Sequence, residues 1–155
     1  MTAGLVFRPP RSTDLAFIAQ TYARGARKAL WAQELDGVDW SAVADRFVSA
    51  CVLADHCVVA GWEASDVVLG YALGHREGAD RAVLHWVHVK ALYQHRGIAT
   101  RLVGALAGPA RDLVVTHTAT EWQRRLVSEK RFRVADRLPW LWLLTREVQH
   151  GSEAA

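Results

Sequence analysis

The segment best suited to chemistry is a short basic loop that leads into a helix, residues 94–100, with the sequence Gln-His-Arg-Gly-Ile-Ala-Thr. A helix that begins at Gly97 exposes unpaired backbone N–H groups and the positive end of its dipole. Such a helix start is a binding site for pyrophosphate. Gly97 and Ala99 carry little bulk, so phosphates can approach the backbone, and His95 and Arg96 add positive charge at the rim. The segment therefore predicts an anion site.

A strand and a helix position this loop. Ala82–Val89 is a predicted strand, Lys90–Gly97 is the loop, and Ile98–Ala107 is a helix with inward-facing apolar residues at helical spacing. Gly108-Pro109 ends the helix. Because the predicted strand Leu113–Thr118 follows, the unit is strand–helix–strand, which predicts a parallel pair with antiparallel neighbours.

The rest of the chain completes a single α/β (α+β) domain over residues 1–155. An apolar run at Leu5–Arg8, stopped by Pro9-Pro10, predicts the first strand. Ser12 or Thr13 can cap a helix that Gly25 ends or interrupts. The remaining predicted elements are a helix after Asp39, strands over Cys57–Glu63 and Val67–His75, a helix over Ala119–Lys130, and strands over Phe132–Ala135 and Trp140–Glu147. The order predicts a mixed, mostly antiparallel twisted sheet of about seven strands with four helices.

Composition limits the classes of protein. A chain of 155 residues that is 51% hydrophobic and 23% charged suits one ordinary globular domain. The most apolar stretch, Leu138–Leu144, is too short to span a bilayer, and Met1–Gly4 does not begin like a signal peptide, so we expect a cytoplasmic protein. Cys51 and Cys57 lack metal-ligand spacing, which favours buried thiols in a reducing compartment. The formal charge of +3 suits an anionic ligand without requiring nucleic acid.

The loop resembles the acyl-CoA signature of the GNAT superfamily, Gln/Arg-x-x-Gly-x-Gly/Ala, which reads here Gln94-His95-Arg96-Gly97-Ile98-Ala99. Family members usually end the preceding strand in an apolar residue eight positions before the first glycine, and Val89 stands there. The order of elements matches too, so the resemblance covers nearly the full chain. It implies an N-acyltransferase that moves an acetyl group from acetyl-CoA to a primary amine, without a metal.

The resemblance also implies where CoA lies. The strand that ends at Val89 would splay from Leu113–Thr118, and pantetheine would bind the backbone around Val87 and Val89 in the slot between them. The pyrophosphate would bind backbone amides of the loop. The implied cofactor-binding residues are Val87, Val89, Gln94, His95, Arg96, Gly97, Ile98, Ala99 and Thr100.

The acceptor amine would enter from the opposite side, between the first two helices and the last hairpin. Five aromatic residues could line that side: Tyr22, Trp31, Trp40, Trp140 and Trp142. Core packing is the other interpretation of each, and the sequence leaves both open.

Amine acylation calls for a base, and histidine suits that role near neutral pH. His85 lies nine residues before Gln94, the same offset as the base histidine of arylalkylamine acetyltransferases, which this segment resembles. His88 and His75 are the next candidates, followed by Glu77. Strand alternation predicts that His85 and His88 face opposite sides. The alternative for His85 is a strand histidine satisfied by a backbone carbonyl.

The general acid is a gap in the resemblance. Many members carry a tyrosine in the last helix, in a segment like Phe-Tyr-x-x-x-Gly-Phe. The counterpart is Leu126–Phe132, where Val127 stands at the tyrosine position and Arg131 replaces the glycine. Ser128 or Tyr93 would have to substitute, or the thiolate leaves without a dedicated acid.

Two other function classes stay open. A CoA-binding protein that kept the fold without catalysis would fit the missing tyrosine. A nucleic-acid module would fit the pI near 9.2 and the seven tryptophans, but basic residues are spread along the chain and no helix-turn-helix, zinc-finger or RNA-recognition signature appears. The strand text of Val83–Lys90 resembles short phage-encoded GNAT-like proteins, which implies a phage origin and a host cytoplasm. A homodimer is an expectation by fold analogy.

Overall fold

A computed structural model describes residues 4–28, 37, 39–116, 124–125, 129 and 133–134. In chain order the elements are β1 (Leu5–Arg8), α1 (Leu15–Arg27), α2 (Trp40–Leu53), β2 (Cys57–Trp62), β3 (Val68–Glu77), β4 (Arg81–Val89), α3 (Ile98–Ala107), β5 (Asp112–Val115) and β6 (Arg133–Val134). Short 3₁₀ turns precede α1 and α3, at Ser12–Asp14 and Ala91–Tyr93. No helix among these described residues is long and apolar enough to cross a membrane.

The six described strands form one mixed sheet in the order β1-β2-β3-β4-β5-β6. Pairing is antiparallel from β1 to β4 and parallel between β4 and β5, which confirms the predicted central parallel pair. β6 also runs parallel to β5, where an antiparallel neighbour was predicted. A parallel return requires a crossover of a dozen residues or more, and residues 116–132 provide that length. The helix expected over Ala119–Lys130 lies mostly outside the described residues, and the strand expected over Trp140–Glu147 lies wholly outside them.

Two apolar layers cover the two faces of the sheet. The α1/α2 layer includes the fully buried Ile18, Tyr22, Phe47 and Tyr71, and the α3 layer is made of residues such as Leu69, Leu84, Val87 and Leu102. Full burial of one such side chain stabilises the fold by about 1.5–3 kcal/mol. The sheet thus lies between two packed layers, and the loop after β4 begins at the end of one of its interior strands.

The chain enters α1 through an ion pair. Neither Ser12 nor Thr13 caps α1, because both lie in the 3₁₀ turn and Asp14 takes the position before the helix. The buried Asp14 carboxylate accepts hydrogen bonds from Arg8 Nη1 and from the Arg11 backbone N–H, both at 2.6 Å. Burial raises the pKa of Asp14, but these hydrogen bonds and the two arginine charges outweigh it, so the pKa lies below its ordinary value.

Gly25 neither ends nor interrupts α1, which continues to Arg27. A Cβ atom at Gly25 would lie 2.3 Å from Cζ2 of Trp86. The glycine therefore allows the Trp86 ring to pack directly against the helix backbone, a contact between distant segments that local sequence does not reveal.

The two cysteines are free and buried, as predicted. Burial raises the pKa of the Cys57 thiol to about 12, and the nearby Asp14 charge adds to the effect. Because the thiolate is the reactive form, Cys57 is a packing residue at neutral pH.

Candidate functional site

The loop between β4 and α3 has two residues in the left-handed region of backbone space. His95 has a φ of 61° and Gly97 a φ of 73°. Glycine adopts this conformation without steric strain, whereas a residue with a Cβ does not. Gly97 is the residue that immediately precedes the first helical residue, Ile98, so its conformation sets the direction in which α3 leaves the loop.

The first turn of α3 presents backbone donors. The first hydrogen bond along the helix runs from the Arg101 N–H to the Gly97 carbonyl at 3.1 Å. The N–H groups of Ile98, Ala99 and Thr100 precede it and therefore have no acceptor inside the helix. Among the described residues, no side chain caps Gly97 and no atom would lie within 4 Å of a Cβ placed there. An anion thus has both donors and room at this point.

Basic side chains surround that turn. His95 and Arg96 are exposed, as predicted for the rim of an anion site. The Arg96 guanidinium lies 5.9 Å from the centre of the Tyr93 ring, and that of Arg101 lies 4.5 Å from the Phe7 ring. These cation–π contacts hold positive charge beside the start of α3.

Gln94 ties the loop to the end of β4. Its Nε2 donates a hydrogen bond to the Val89 carbonyl at 3.0 Å. The first residue of the motif therefore fixes the shape of the loop, because its side-chain amide binds the strand and not the first turn of α3.

The two central parallel strands stop pairing part of the way along β4. Their ladder ends at Leu84, whose carbonyl accepts a hydrogen bond from the Thr116 N–H at 3.1 Å. Val87 and Val89 lie beyond that point, pair with β3, and pack their side chains against the α3 layer. Among the described residues the parallel pairing therefore ends at Leu84, and we name this end of the pairing the fork.

A β-bulge in β4 changes the facing of the histidines. Gly74 lies opposite Leu84 and the residue before Gly74 lies opposite Trp86, so His85 is an extra residue in β4. The prediction that His85 and His88 face opposite sides is wrong, because an inserted residue resets the alternation of side chains. Both histidines lie on the α1/α2 face of the sheet.

His88 packs near the start of α1. Its ring lies 6.0 Å from that of Phe17 and 5.5 Å from that of Tyr71. Desolvation lowers the pKa of His88, and the positive charges of Lys90 and Arg24 lower it further. These effects favour the neutral form of His88.

His85 is the buried centre of a hydrogen-bonded chain at the fork. Its ring is 1% exposed and packs edge-on against Phe47 at 5.4 Å between centroids. His85 Nε2 lies 2.9 Å from His75 Nδ1, and His75 Nε2 lies 3.2 Å from Glu77 Oε1. On the other side, His85 Nδ1 lies 3.4 Å from Thr116 Oγ1. The sequence ranked His85, His75 and Glu77 as alternatives, whereas the structure joins them into one unit.

Glu77, the outer end of this hydrogen-bonded line, contacts a network of surface charges. Arg81 Nη1 lies 3.4 Å from Glu77 Oε2, and Arg81 Nε donates to Asp112 at 2.6 Å. Asp112 also accepts two hydrogen bonds from Arg133, at 2.8 and 2.9 Å. Hydrogen bonds from Arg133 and Arg81 hold the pKa of Asp112 well below its usual range. The network fixes Arg81 beside Glu77, which is about one-third exposed.

The described aromatic candidates for the acceptor side are core residues. Tyr22 stacks on Phe47 at 5.0 Å and meets the Trp86 edge at 5.4 Å. Burial raises the pKa of Tyr22, and Trp40 is buried in the same layer. The other three candidates, Trp31, Trp140 and Trp142, lie outside the described residues.

Of the substitutes for the missing acid, only Tyr93 lies in the described part. It is half-buried, packs on the α3 layer and contacts the Trp62 ring at 6.4 Å. That layer is on the opposite face of the sheet from His85, so the two side chains do not share one side. Val127 and Ser128 lie outside the described residues.

Comparison with solved structures shows the same fold. A protein from Desulfovibrio desulfuricans assigned to the GNAT family superposes with a TM-score of 0.55 at 19% identity, over 82% of this chain and 83% of that chain. The diaminobutyrate acetyltransferase of Paenibacillus lautus, bound to L-2,4-diaminobutyric acid and coenzyme A, gives 0.51 at 17% identity, over 83% and 74%. An aminoglycoside N-acetyltransferase bound to CoA gives 0.52 at 19% identity, over 84% and 88%. At such identities these likenesses concern the fold alone.

Sequence comparison identifies the family. No curated protein sequence matches the chain. The sequence model of the Acetyltransferase (GNAT) family matches residues 23–127. That range contains both the loop at Gly97 and the chain of His85, His75 and Glu77, and it covers about two-thirds of the protein. The resemblance found in the loop is thereby confirmed, and the chain belongs to the GNAT family of acetyltransferases.

Proposed function

We propose that the protein transfers an acetyl group from acetyl-CoA to a primary amine. The observation that carries this proposal is the start of α3, where three backbone N–H groups without helical acceptors surround the open position at Gly97. Helix starts of this kind bind phosphate through these groups and the helix dipole. Arg96 and His95 add the positive charge that a pyrophosphate needs.

We expect β5 to diverge from β4 beyond the fork and to leave a slot for the rest of CoA. Pantetheine extends from the pyrophosphate along β4, with the backbone of Val87 and Val89 as its partners. Gln94 holds the Val89 carbonyl at 3.0 Å, so it sets the end of that path. The thioester then reaches the fork near Leu84, where the parallel pairing ends.

His85 is the base in this proposal. It lies at the fork on the α1/α2 face, from which the amine arrives. The amine nitrogen attacks the thioester carbonyl carbon, the C–N bond forms, and the C–S bond breaks. The proton from nitrogen goes to His85, directly or through one water, and CoA leaves as the thiolate. Proton transfer of this kind contributes about 10²–10⁴-fold to the rate.

The comparisons support the class of donor and acceptor. Two of the similar structures contain CoA, and one also contains a diamine-bearing amino acid. We therefore extend to this chain the pairing of acetyl-CoA with a primary amine, carried by a small molecule or a macromolecule.

The first test is the thermal stability of the protein with and without CoA. A ligand at a hundred times its dissociation constant adds about 2.7 kcal/mol to the free energy of unfolding. We expect acetyl-CoA and CoA at millimolar concentration to raise Tm, and pantetheine without the nucleotide to raise it less. An unchanged Tm with CoA would remove the phosphate site and the proposed function with it.

The second test is acetyl-CoA consumption in the presence of amines, peptides and modified nucleosides. We expect at least one primary amine to accelerate the release of CoA. A CoA-dependent rise in Tm without turnover on any amine would indicate a CoA-binding protein without catalysis.

A further inference from the structure

His75 and Glu77 stand behind His85 in a way that the proposed reaction does not yet use. Resting on the proposed role of His85, we propose that His75 and Glu77 are positioning residues that fix the tautomer of His85 and exchange a proton between this buried base and solvent. The juxtaposition consists of three titratable side chains in one line, from a buried imidazole to a partly exposed carboxylate.

The direction of the hydrogen bonds follows from Glu77, the partly exposed end of the line. An ionised Glu77 carboxylate only accepts, so His75 donates to it from Nε2. A neutral His75 then carries no proton on Nδ1, and this nitrogen accepts from His85 Nε2 at 2.9 Å. A neutral His85 is in turn unprotonated at Nδ1, the atom beside Thr116. The carboxylate thus selects Nδ1 as the basic nitrogen of His85.

The same line conducts a proton without net chemical change in the protein. When His85 Nδ1 takes a proton from the amine, the Nε2 proton of His85 passes to His75 Nδ1. The Nε2 proton of His75 then passes to Glu77, which releases it to water. A proton that Glu77 later takes up from water returns along the same line to His85 Nε2, and the Nδ1 proton of His85 passes to the CoA thiolate, so the starting tautomers are restored and the proton of the amine ends on the thiol of CoA.

Because His85 is buried, a path that lets its proton exit to solvent is useful. His85 is 1% exposed and His75 is 6% exposed, whereas the Glu77 side chain is 34% exposed. A protonated His85 packed against Phe47 would be a charge in an apolar layer, which is costly unless it is paired. The chain from His75 to Glu77 supplies that pairing and connects the base with the surface.

Other titratable groups near His75 and Glu77 favour these directions of the hydrogen bonds. The His56 ring lies 5.7 Å from that of His75, and Arg81 lies 3.4 Å from Glu77. A guanidinium beside a carboxylate favours its ionised form. Asp112 and Arg133 complete the surroundings on β5 and β6 and hold Arg81 in place.

Nitrogen NMR of the histidine side chains tests the predicted tautomers of His75 and His85 without any amine substrate. In ¹⁵N-labelled protein, we expect His75 and His85 each to be protonated at Nε2 and unprotonated at Nδ1. Glu77→Gln keeps the shape of the side chain but removes the charge, and it should change the Nδ1 and Nε2 shifts of both histidines. The control Glu63→Gln, in the exposed turn between β2 and β3, should leave them unchanged. A protonated Nδ1 on His75 in the parent, or identical spectra in Glu77→Gln, would overturn the assignment.

Kinetics with the amine found in the consumption screen test the proton exit through His75 and Glu77. His75→Gln and Glu77→Gln should lower kcat by about ten- to a hundredfold and shift the pH profile, while the CoA-dependent rise in Tm is retained. Glu77→Asp should restore part of the rate. A lower Tm with an unchanged kcat and pH profile would show a structural role only and overturn the exit. If CoA does not raise the Tm of the parent, or the screen yields no amine, the exit falls with the proposed function, while the NMR result stands by itself.

Discussion

Replacement of Gly97 by glutamate separates phosphate binding from folding. Gly97 has a φ of 73°, and a side chain in this region costs about 1–2 kcal/mol. In the described part of the chain no atom lies within 4 Å of the added Cβ, so no clash there adds to that cost. For a chain of this size the loss corresponds to a fall in Tm of about 2–8 °C. The new carboxylate occupies the place of the pyrophosphate among amides arranged for an anion. We therefore expect a folded protein that no longer binds CoA.

Gly78 offers a matched control for this variant. It lies in the turn between β3 and β4, has a φ of 69°, and would also place a Cβ in open space. The nine residues of β4 separate it from the loop by roughly 30 Å. Gly78→Glu should show the same fall in Tm and the same added negative charge, but it should keep CoA binding.

The assay is a pair of melting curves for each variant, with and without CoA. Saturation at a hundred times the dissociation constant should raise Tm by about 5–11 °C in the parent and in Gly78→Glu. In Gly97→Glu this rise should vanish. If Gly97→Glu gains as much from CoA as Gly78→Glu does, the pyrophosphate does not bind at the start of α3 and the reasoning fails.

Three further predictions concern the base, the ion pair before α1 and the helix glycines. His85→Gln should lower turnover by about a hundredfold or more and remove the acidic limb of the pH–rate profile. His88→Gln should lower turnover much less. A larger loss of turnover at His88 in steady-state kinetics would contradict the assignment of His85 as the base. Asp14→Asn should lower the free energy of unfolding by about 2–4 kcal/mol in urea melts at pH 7. The folded-state pKa of Asp14 is lowered, so its contribution is present above pH 3.8 and lost as the pH falls through that pKa, where the two proteins should converge. Gly25→Ala should lower the free energy of unfolding by about 1–3 kcal/mol, because the added Cβ clashes with the indole of Trp86. Gly104→Ala, where no described atom lies within 4 Å of the added Cβ, should raise it by up to about 1 kcal/mol. Changes of the same sign for both variants in urea melts would refute this contrast.

Elements with strong local signals could be predicted closely. β1 and α3 have the predicted bounds, since proline or glycine punctuates each of them. α2 begins directly after Asp39, as predicted, and Asp39 Oδ1 accepts hydrogen bonds from the backbone N–H groups of Ser41 and Ala42 at 3.1 Å. Such features depend on residues within one turn of each other, which the sequence displays directly.

Features that depend on contacts between distant segments could not be predicted. Gly25 resembles a helix terminator in the sequence, but its role is to admit Trp86 from β4. Ser12 and Thr13 have the right chemistry for a cap, but the ion pair between Asp14 and Arg8 determines how the chain enters α1. In both places a tertiary interaction overrides a local preference.

The sequence did carry one signal for the arrangement of the histidines, in Gly74. A Cβ there would lie 2.3 Å from the Val83 carbonyl oxygen and 2.8 Å from a methyl carbon of Leu106, so only glycine allows β4 to approach β3 this closely at the bulge. An isolated glycine within a strand is a mark of a bulge or of close backbone approach. The extra residue, however, lies in the partner strand, and only the register shows that it is His85. The bulge turns His85 toward the α1/α2 face, where His75 from the neighbouring strand meets it. The proposed base and its route to solvent therefore both depend on a residue without a side chain.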